Sequence, residues 1–136
     1  MKIFYKTRAT STGGRSGHSQ TDDGNLSVDL AKPDSGKPGT NPEQLFATGY
    51  AACFDSALQA AAQRLKLSPS GTKTSVEVGI GQNAAGGYAL DVDIFAEVKG
   101  LAEDKARELI ETADRICPYS NALRGNVDVR LHVASA

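Results

Sequence analysis

The stretch from Leu45 to Ala62 constrains the fold more than any other part of this sequence. Wound as a helix it is apolar almost all round, broken mainly by Thr48, Asp55, Ser56 and Gln59. Such a helix needs cover on most of its circumference. A single small sheet covers one side only, so a partner subunit on the other side is implied. The helix has a marked start: Asn41 is a good N-cap, Pro42 suits the first helical position, and Glu43 complements the positive end of the helix dipole. It is expected to run to about Leu67, before Ser68-Pro69-Ser70-Gly71.

The flanking segments read as strands and one more helix. Residues 3–10 alternate like a strand, and 11–17 form a flexible turn. Residues 18–22 and 26–30 read as a hairpin about Asp23-Gly24, a pair that favours a tight two-residue turn. Residues 31–40 are a loop rich in Pro and Gly. Val76, Val78 and Ile80 alternate, as do Leu90, Val92, Ile94, Ala96 and Val98, predicting a second hairpin around residues 83–87. Ala102, Ala106, Leu109, Ile110, Ala113, Ile116 and Cys117 recur at helical spacing over 102–117, and Pro118 places Cys117 at or near a helix end. Val127, Val129, Leu131 and Val133 make a last strand. The sum is an α+β domain.

The chain has 136 residues, which fits one domain spanning 1–136 and can bury a core without disulfide staples. Its formal charge of −1 shows no footprint for nucleic acid or an anionic membrane. No apolar run is long enough for a membrane span, and the N-terminus lacks the apolar stretch of a signal peptide. The expected compartment is the cytoplasm, where thiols are kept reduced and a disulfide is transient rather than structural.

There are two cysteines, Cys53 and Cys117, each on an inward-facing helical position. Either alone reads as a small core residue. Together they permit a redox pair, which requires Cα atoms about 4.4–6.8 Å apart. Their spacing is far too long for a CxxC-type or zinc motif. Arg15, in Gly13-Gly14-Arg15-Ser16-Gly17, is either a solvated loop arginine or a guanidinium brought over a site by a flexible loop. In the second role it would favour a thiolate. Glu43 either stabilises its helix's first turn or orients Arg15 through a bidentate pair. Ten residues of straight helix span about 15 Å, so Glu43 does not touch Cys53 along one continuous helix. Arg15 could bridge part of that gap, the helix could break near Gly49, or Glu43 could come from another subunit.

Phe46, Tyr50 and Phe54 share one helical stripe. They are either ordinary core or an apolar vestibule beside a reactive Cys53. His18 and His132 have no ligand-like partners in sequence, so no metal site is expected. A serine hydrolase has no support either.

Several phrases carry a family resemblance over essentially the whole length. They are Thr12-Gly13-Gly14-Arg15, the run from Asn41 to Phe54, and Val78-Gly79-Ile80-Gly81-Gln82. With them stand Cys117-Pro118-Tyr119-Ser120-Asn121-Ala122, Arg124-Gly125-Asn126 and Val127-Asp128-Val129-Arg130-Leu131. The chain resembles the organic hydroperoxide resistance proteins, the Ohr branch of the Ohr/OsmC family. The resemblance implies antiparallel sheets packed on two main helices in an intertwined homodimer, with active sites at the subunit interface. It also implies a thiol-dependent peroxidase for organic, including fatty-acid, hydroperoxides. Cys53 would be the peroxidatic cysteine, Cys117 the resolving one, Arg15 the activating cation and Glu43 its holder. From the residues themselves, and if Cys53 is reactive, Phe46, Tyr50 and Phe54 would line the substrate's approach. No bound cofactor is implied; the reductant would be an external dithiol, the lipoyl group of a lipoylated protein. Asp55 and Ser56 are more polar than the family leads one to expect. A redox-sensing or hydrophobic-ligand-binding dimer without turnover is the alternative, and a dimer with inert cysteines a third reading.

Overall fold

Asn41 caps helix α1 (Pro42–Leu65): its side-chain oxygen accepts the Gln44 N–H at 2.8 Å. The computed structural model describes residues 1–135 and divides into two units, Met1–Leu45 and the chain from Phe46 onward.

In the first unit, β1 (Ala9–Thr12), β2 (His18–Thr21) and β3 (Ser27–Asp29) form an antiparallel sheet in that order. Pairing begins only at Ala9, opposite Thr21, so the strand expected over 3–10 starts later than its alternation suggests. Alternation marks a residue's face; a strand also needs a neighbour. β1 and β2 are joined through a 3-10 turn at Gly14–Ser16. Glycine is required at position 17, because a Cβ there would sit 1.8 Å from the Thr12 carbonyl oxygen. The expected two-residue turn at Asp23-Gly24 is instead a five-residue connection, residues 22–26. The Asp23 carboxylate accepts from the Thr21 hydroxyl (2.7 Å) and the Asn25 N–H (3.0 Å), and these local bonds hold the wider turn. No residue of the three strands is buried.

The second unit contains the core. β4 (Gly71–Gln82) and β5 (Tyr88–Lys99) form a long antiparallel hairpin closed over Asn83–Gly87. α2 (Glu103–Ile116) and α3 (Pro118–Leu123) lead to β6 (Val129–Ser135), which pairs with β5 in parallel. This corrects the expectation of antiparallel sheets: the second sheet is mixed. The physical reason is the helical crossover, which returns the chain to the same end of the sheet before β6 begins. The short α3 is also absent from the sequence reading.

β5 turns Val92, Ile94, Ala96 and Val98 inward, α2 supplies Ala106, Leu109, Ile110 and Ala113, and α1 supplies Tyr50, Phe54, Leu58 and Ala61. All of these are essentially sealed from solvent. Each large apolar side chain so buried contributes roughly 1.5–3 kcal/mol. The first unit buries only Leu30 and Ala31, so the core lies in the second. On the sheet's outer face Arg130 grips the Asp91 carboxylate at 2.9 and 2.8 Å and also reaches Asp93, lacing β5 to β6. Among the described residues no helix is long and apolar enough to cross a membrane.

Candidate active site

Cys53 sits midway along α1, and Cys117 occupies the single residue between α2 and α3. Pro118 forces Cys117 out of helical geometry, to φ −67° and ψ 123°, and then serves as the first residue of α3. The Cys117 N–H donates to the Ala113 carbonyl (2.8 Å) while its carbonyl accepts from Asn121 (3.0 Å), so the link is fixed on both sides. The two sulfurs are 3.7 Å apart, both as free thiols. Cys117 is sealed and Cys53 is half-buried, so an incoming molecule meets Cys53 first.

Burial pushes the Cys53 thiol pKa up. The Tyr119 backbone N–H hydrogen-bonded to it pulls the other way, and the neighbouring Cys117 adds to the rise. The net shift is upward, so these surroundings keep the sulfur protonated at neutral pH. A nucleophilic role requires further positive charge.

Two features beside the thiols have no counterpart in the sequence reading. The Tyr50 hydroxyl lies 2.6 Å from the Ser120 hydroxyl in a buried contact. The Tyr119 ring packs at 5.5 Å from Tyr50 and 6.0 Å from Phe46, and its phenol crosses α1 at Gly49. A Cβ on Gly49 would come within 2.8 Å of that phenolic oxygen, which accounts for a glycine inside a long helix. Of the stripe Phe46, Tyr50 and Phe54, only Phe46 keeps any exposure; Tyr50 and Phe54 are fully covered. Tyr119, 38% exposed, joins Phe46 on the open side. Pro118, which suits the first position of a helix as well as ending one, is the sequence signal that could have revealed α3, and with it Tyr119 and Ser120. Asp55 accepts the Thr74 hydroxyl at 3.2 Å, while Ser56 faces solvent.

In the first unit, Arg15 donates both terminal nitrogens to Glu43, at 2.7 and 2.6 Å. The hydrogen bond from Arg15 holds the Glu43 carboxyl below the ordinary range, and the same bond raises the guanidinium further. A guanidinium has five N–H donors, and this fork uses two. His18 Nδ1 lies 2.8 Å from Asp29 and Nε2 lies 3.0 Å from Ser27. Among the described residues no group of three or more His, Cys, Asp or Glu is gathered as a metal site.

Residues 33–132 match the family of OsmC-like proteins. The chain is 44% identical to an organic hydroperoxide resistance protein of Xanthomonas axonopodis, over 98% of this chain and 96% of that one. It is 40% identical to the organic hydroperoxide resistance protein OhrB of Bacillus subtilis, over 96% and 98%. The OhrB crystal structure superposes with a TM-score of 0.90, covering 96% of this chain and 99% of that one. The crystal structure of an organic hydroperoxide resistance protein from Legionella pneumophila is similar at TM-score 0.93 and 45% identity, over 98% and 99%. A family match over residues 33–132 and relatives at 40–44% identity over nearly the whole length place the chain among the organic hydroperoxide resistance proteins of the OsmC-like family.

Proposed function

We propose that this chain detoxifies organic hydroperoxides as a cysteine-based peroxidase. The observation that carries the reading is the thiol pair itself, one sulfur reachable from solvent and the other sealed 3.7 Å behind it. The Cys53 thiolate attacks the terminal peroxide oxygen. An S–O bond forms, the O–O bond breaks, sulfur loses two electrons, and the alkoxide leaves and takes up a proton as alcohol. Cys117 then attacks the oxidised Cys53: the S–S bond forms, the S–O bond breaks, and hydroxide leaves as water with the Cys117 proton. A dithiol reopens the disulfide by exchange, and the lipoyl group of a lipoylated protein is the proposed donor. Arg15, presented by Glu43, is the proposed cation that offsets the raised Cys53 pKa and meets the charge growing on the leaving oxygen. The aromatic wall of Phe46 and Tyr119 over the packed Tyr50 and Phe54 suits an apolar organic group.

The working unit in this reading is a homodimer in the reducing cytoplasm. Its support is apolar surface left bare in each unit separately: Phe4 and Tyr5 in the first, Ile80 and Tyr88 in the second.

The test is a thiol count and intact mass after one equivalent of cumene hydroperoxide, then turnover with lipoamide, its dehydrogenase and NADH. Wild type is expected to lose both thiols and sustain NADH oxidation. Cys53→Ser is expected to do neither, and Cys117→Ser to gain one oxygen without turning over. Loss of both thiols without sustained NADH oxidation favours the sensor reading, and retention of both thiols sinks the peroxidase.

A further inference from the structure

Tyr50 stands three residues before Cys53 on α1, and Ser120 stands three residues after Cys117 on α3. The hydroxyl pair therefore links α1 to α3 close to where the thiol pair links α1 to the residue just before α3, about one helical turn away on each side. It is a short bond at 2.6 Å, between a fully covered tyrosine and a serine that is 4% exposed. A buried tyrosine hydroxyl needs a partner in any protein. Here the partner sits on a six-residue helix that follows directly from Cys117. The other end of that helix is tied to α2: Arg124 donates to the Asp114 carbonyl at 2.9 Å and to its carboxylate at 3.2 Å. The Tyr50–Ser120 bond is a side-chain hydrogen bond that spans from α3 to α1.

We propose that Tyr50 and Ser120 are a positioning pair that sets the approach of Cys117 to Cys53 and so the ease of closing their disulfide. The bond fixes the end of α3 that carries Cys117, so the two sulfurs meet by side-chain motion without displacing a helix. Losing it leaves the thiols present and the core largely intact but widens the range of separations they sample. The effective concentration of one thiol for the other then falls. The consequence for the peroxidase cycle rests on the function proposed above; the consequence for the dithiol equilibrium does not.

The test uses the full chain as wild type, Ser120→Ala, Tyr50→Phe and the double variant. In the first arm each is equilibrated with mixtures of reduced and oxidised glutathione, where dithiol plus glutathione disulfide exchanges with protein disulfide plus two glutathione thiols. The equilibrium constant is expected to fall about fivefold in either single variant, the size of one hydrogen bond's net effect. The double variant is expected to fall no further, since both changes remove the same bond. In the second arm, cumene hydroperoxide is added with dimedone, and the ratio of dimedone-trapped Cys53 to disulfide is expected to rise by a similar factor. That ratio does not depend on how fast peroxide reacts. A purely structural role would lower thermal stability and leave both ratios where they were. If Ser120→Ala does not fold, Tyr50→Phe, which removes one oxygen, decides alone. Glutathione constants unchanged or higher in the folded variants overturn the proposal. A wild type that forms its disulfide with glutathione but yields no trapped Cys53 and no disulfide with peroxide overturns the peroxidase reading instead.

Discussion

Cys53 and Cys117 are 64 residues apart in the chain and 3.7 Å apart in space, and only Cys53 meets solvent. The asymmetry follows from where each lies. Cys53 is on the flank of α1, beside the inward stripe of Tyr50, Phe54 and Leu58. Cys117 is in the break between α2, which packs under the sheet, and the short α3. A reagent arriving from solvent therefore meets the outer thiol before the inner one.

Arg15→Ala tests where the charge comes from. Burial raises the Cys53 pKa, so without a compensating cation the thiolate forms only at higher pH. In a Cys117→Ser background, the pH midpoint for Cys53 alkylation by iodoacetamide is expected to move up in Arg15→Ala, past the ordinary thiol value. Glu43→Gln is expected to move it the same way by less, since it loosens the fork but keeps the guanidinium. An unmoved midpoint in Arg15→Ala would remove Arg15 from the mechanism.

Gly49→Ala sets helix propensity against contact. Replacing a helical glycine by alanine stabilises by about 1 kcal/mol where there is room. Here the new methyl would meet the Tyr119 phenolic oxygen at 2.8 Å, with the next ring atoms at 3.4 Å. Urea unfolding of Gly49→Ala is expected to show less than that gain. The gain should return when the same change is made in a Tyr119→Phe background. Equal gains in both backgrounds would mean that the phenol does not press on α1.

The hydrogen bond to Asp29 raises the His18 pKa. Its folded value exceeds its unfolded one, so the stability it brings is full below about 6.5 and is lost as pH rises through the folded value. An NMR titration is expected to give a midpoint above the ordinary histidine value, returning toward it in Asp29→Asn. The same midpoint in both proteins would show that the 2.8 Å contact is not held in solution.

Tyr88→Asp and Ile80→Asp test assembly. Tyr88 is 80% and Ile80 50% exposed, so a charge at either costs the lone chain little. If these side chains are covered by a second copy, each change removes roughly 1.5–3 kcal/mol of apolar burial, which weakens association about tenfold or more. Light scattering across a dilution series reads the shift. Wild-type chains that stay monomeric at high concentration would end the dimer proposal.

The sequence exposes α1 through its cap and its long, mostly apolar run, and α2 through a clean helical period with a wet opposite face. Both signals are local. The parallel pairing of β6 with β5 is not local: a lone alternating segment says which face is apolar but not which way its neighbour runs. β1 is misplaced for the same reason, since its beginning is set by where β2 starts to pair. Among the candidate residues, Cys53, Cys117, Arg15 and Glu43 stand out because a thiol, a guanidinium in a glycine loop and a carboxylate at a helix start are chemically conspicuous. Tyr119 and Ser120 do not stand out. Pro118 reads as the end of one helix, and the extended backbone at Cys117 shows that it also begins another.

The sheet that flanks the Arg15 turn has no dry side. Three strands of four, four and three residues, none of them buried, cannot hold themselves flat in water. A ribbon of this kind gains its order when another surface closes over it. If that surface is a second copy, dilution should quench the chemistry by melting the ribbon while the two sulfurs remain neighbours.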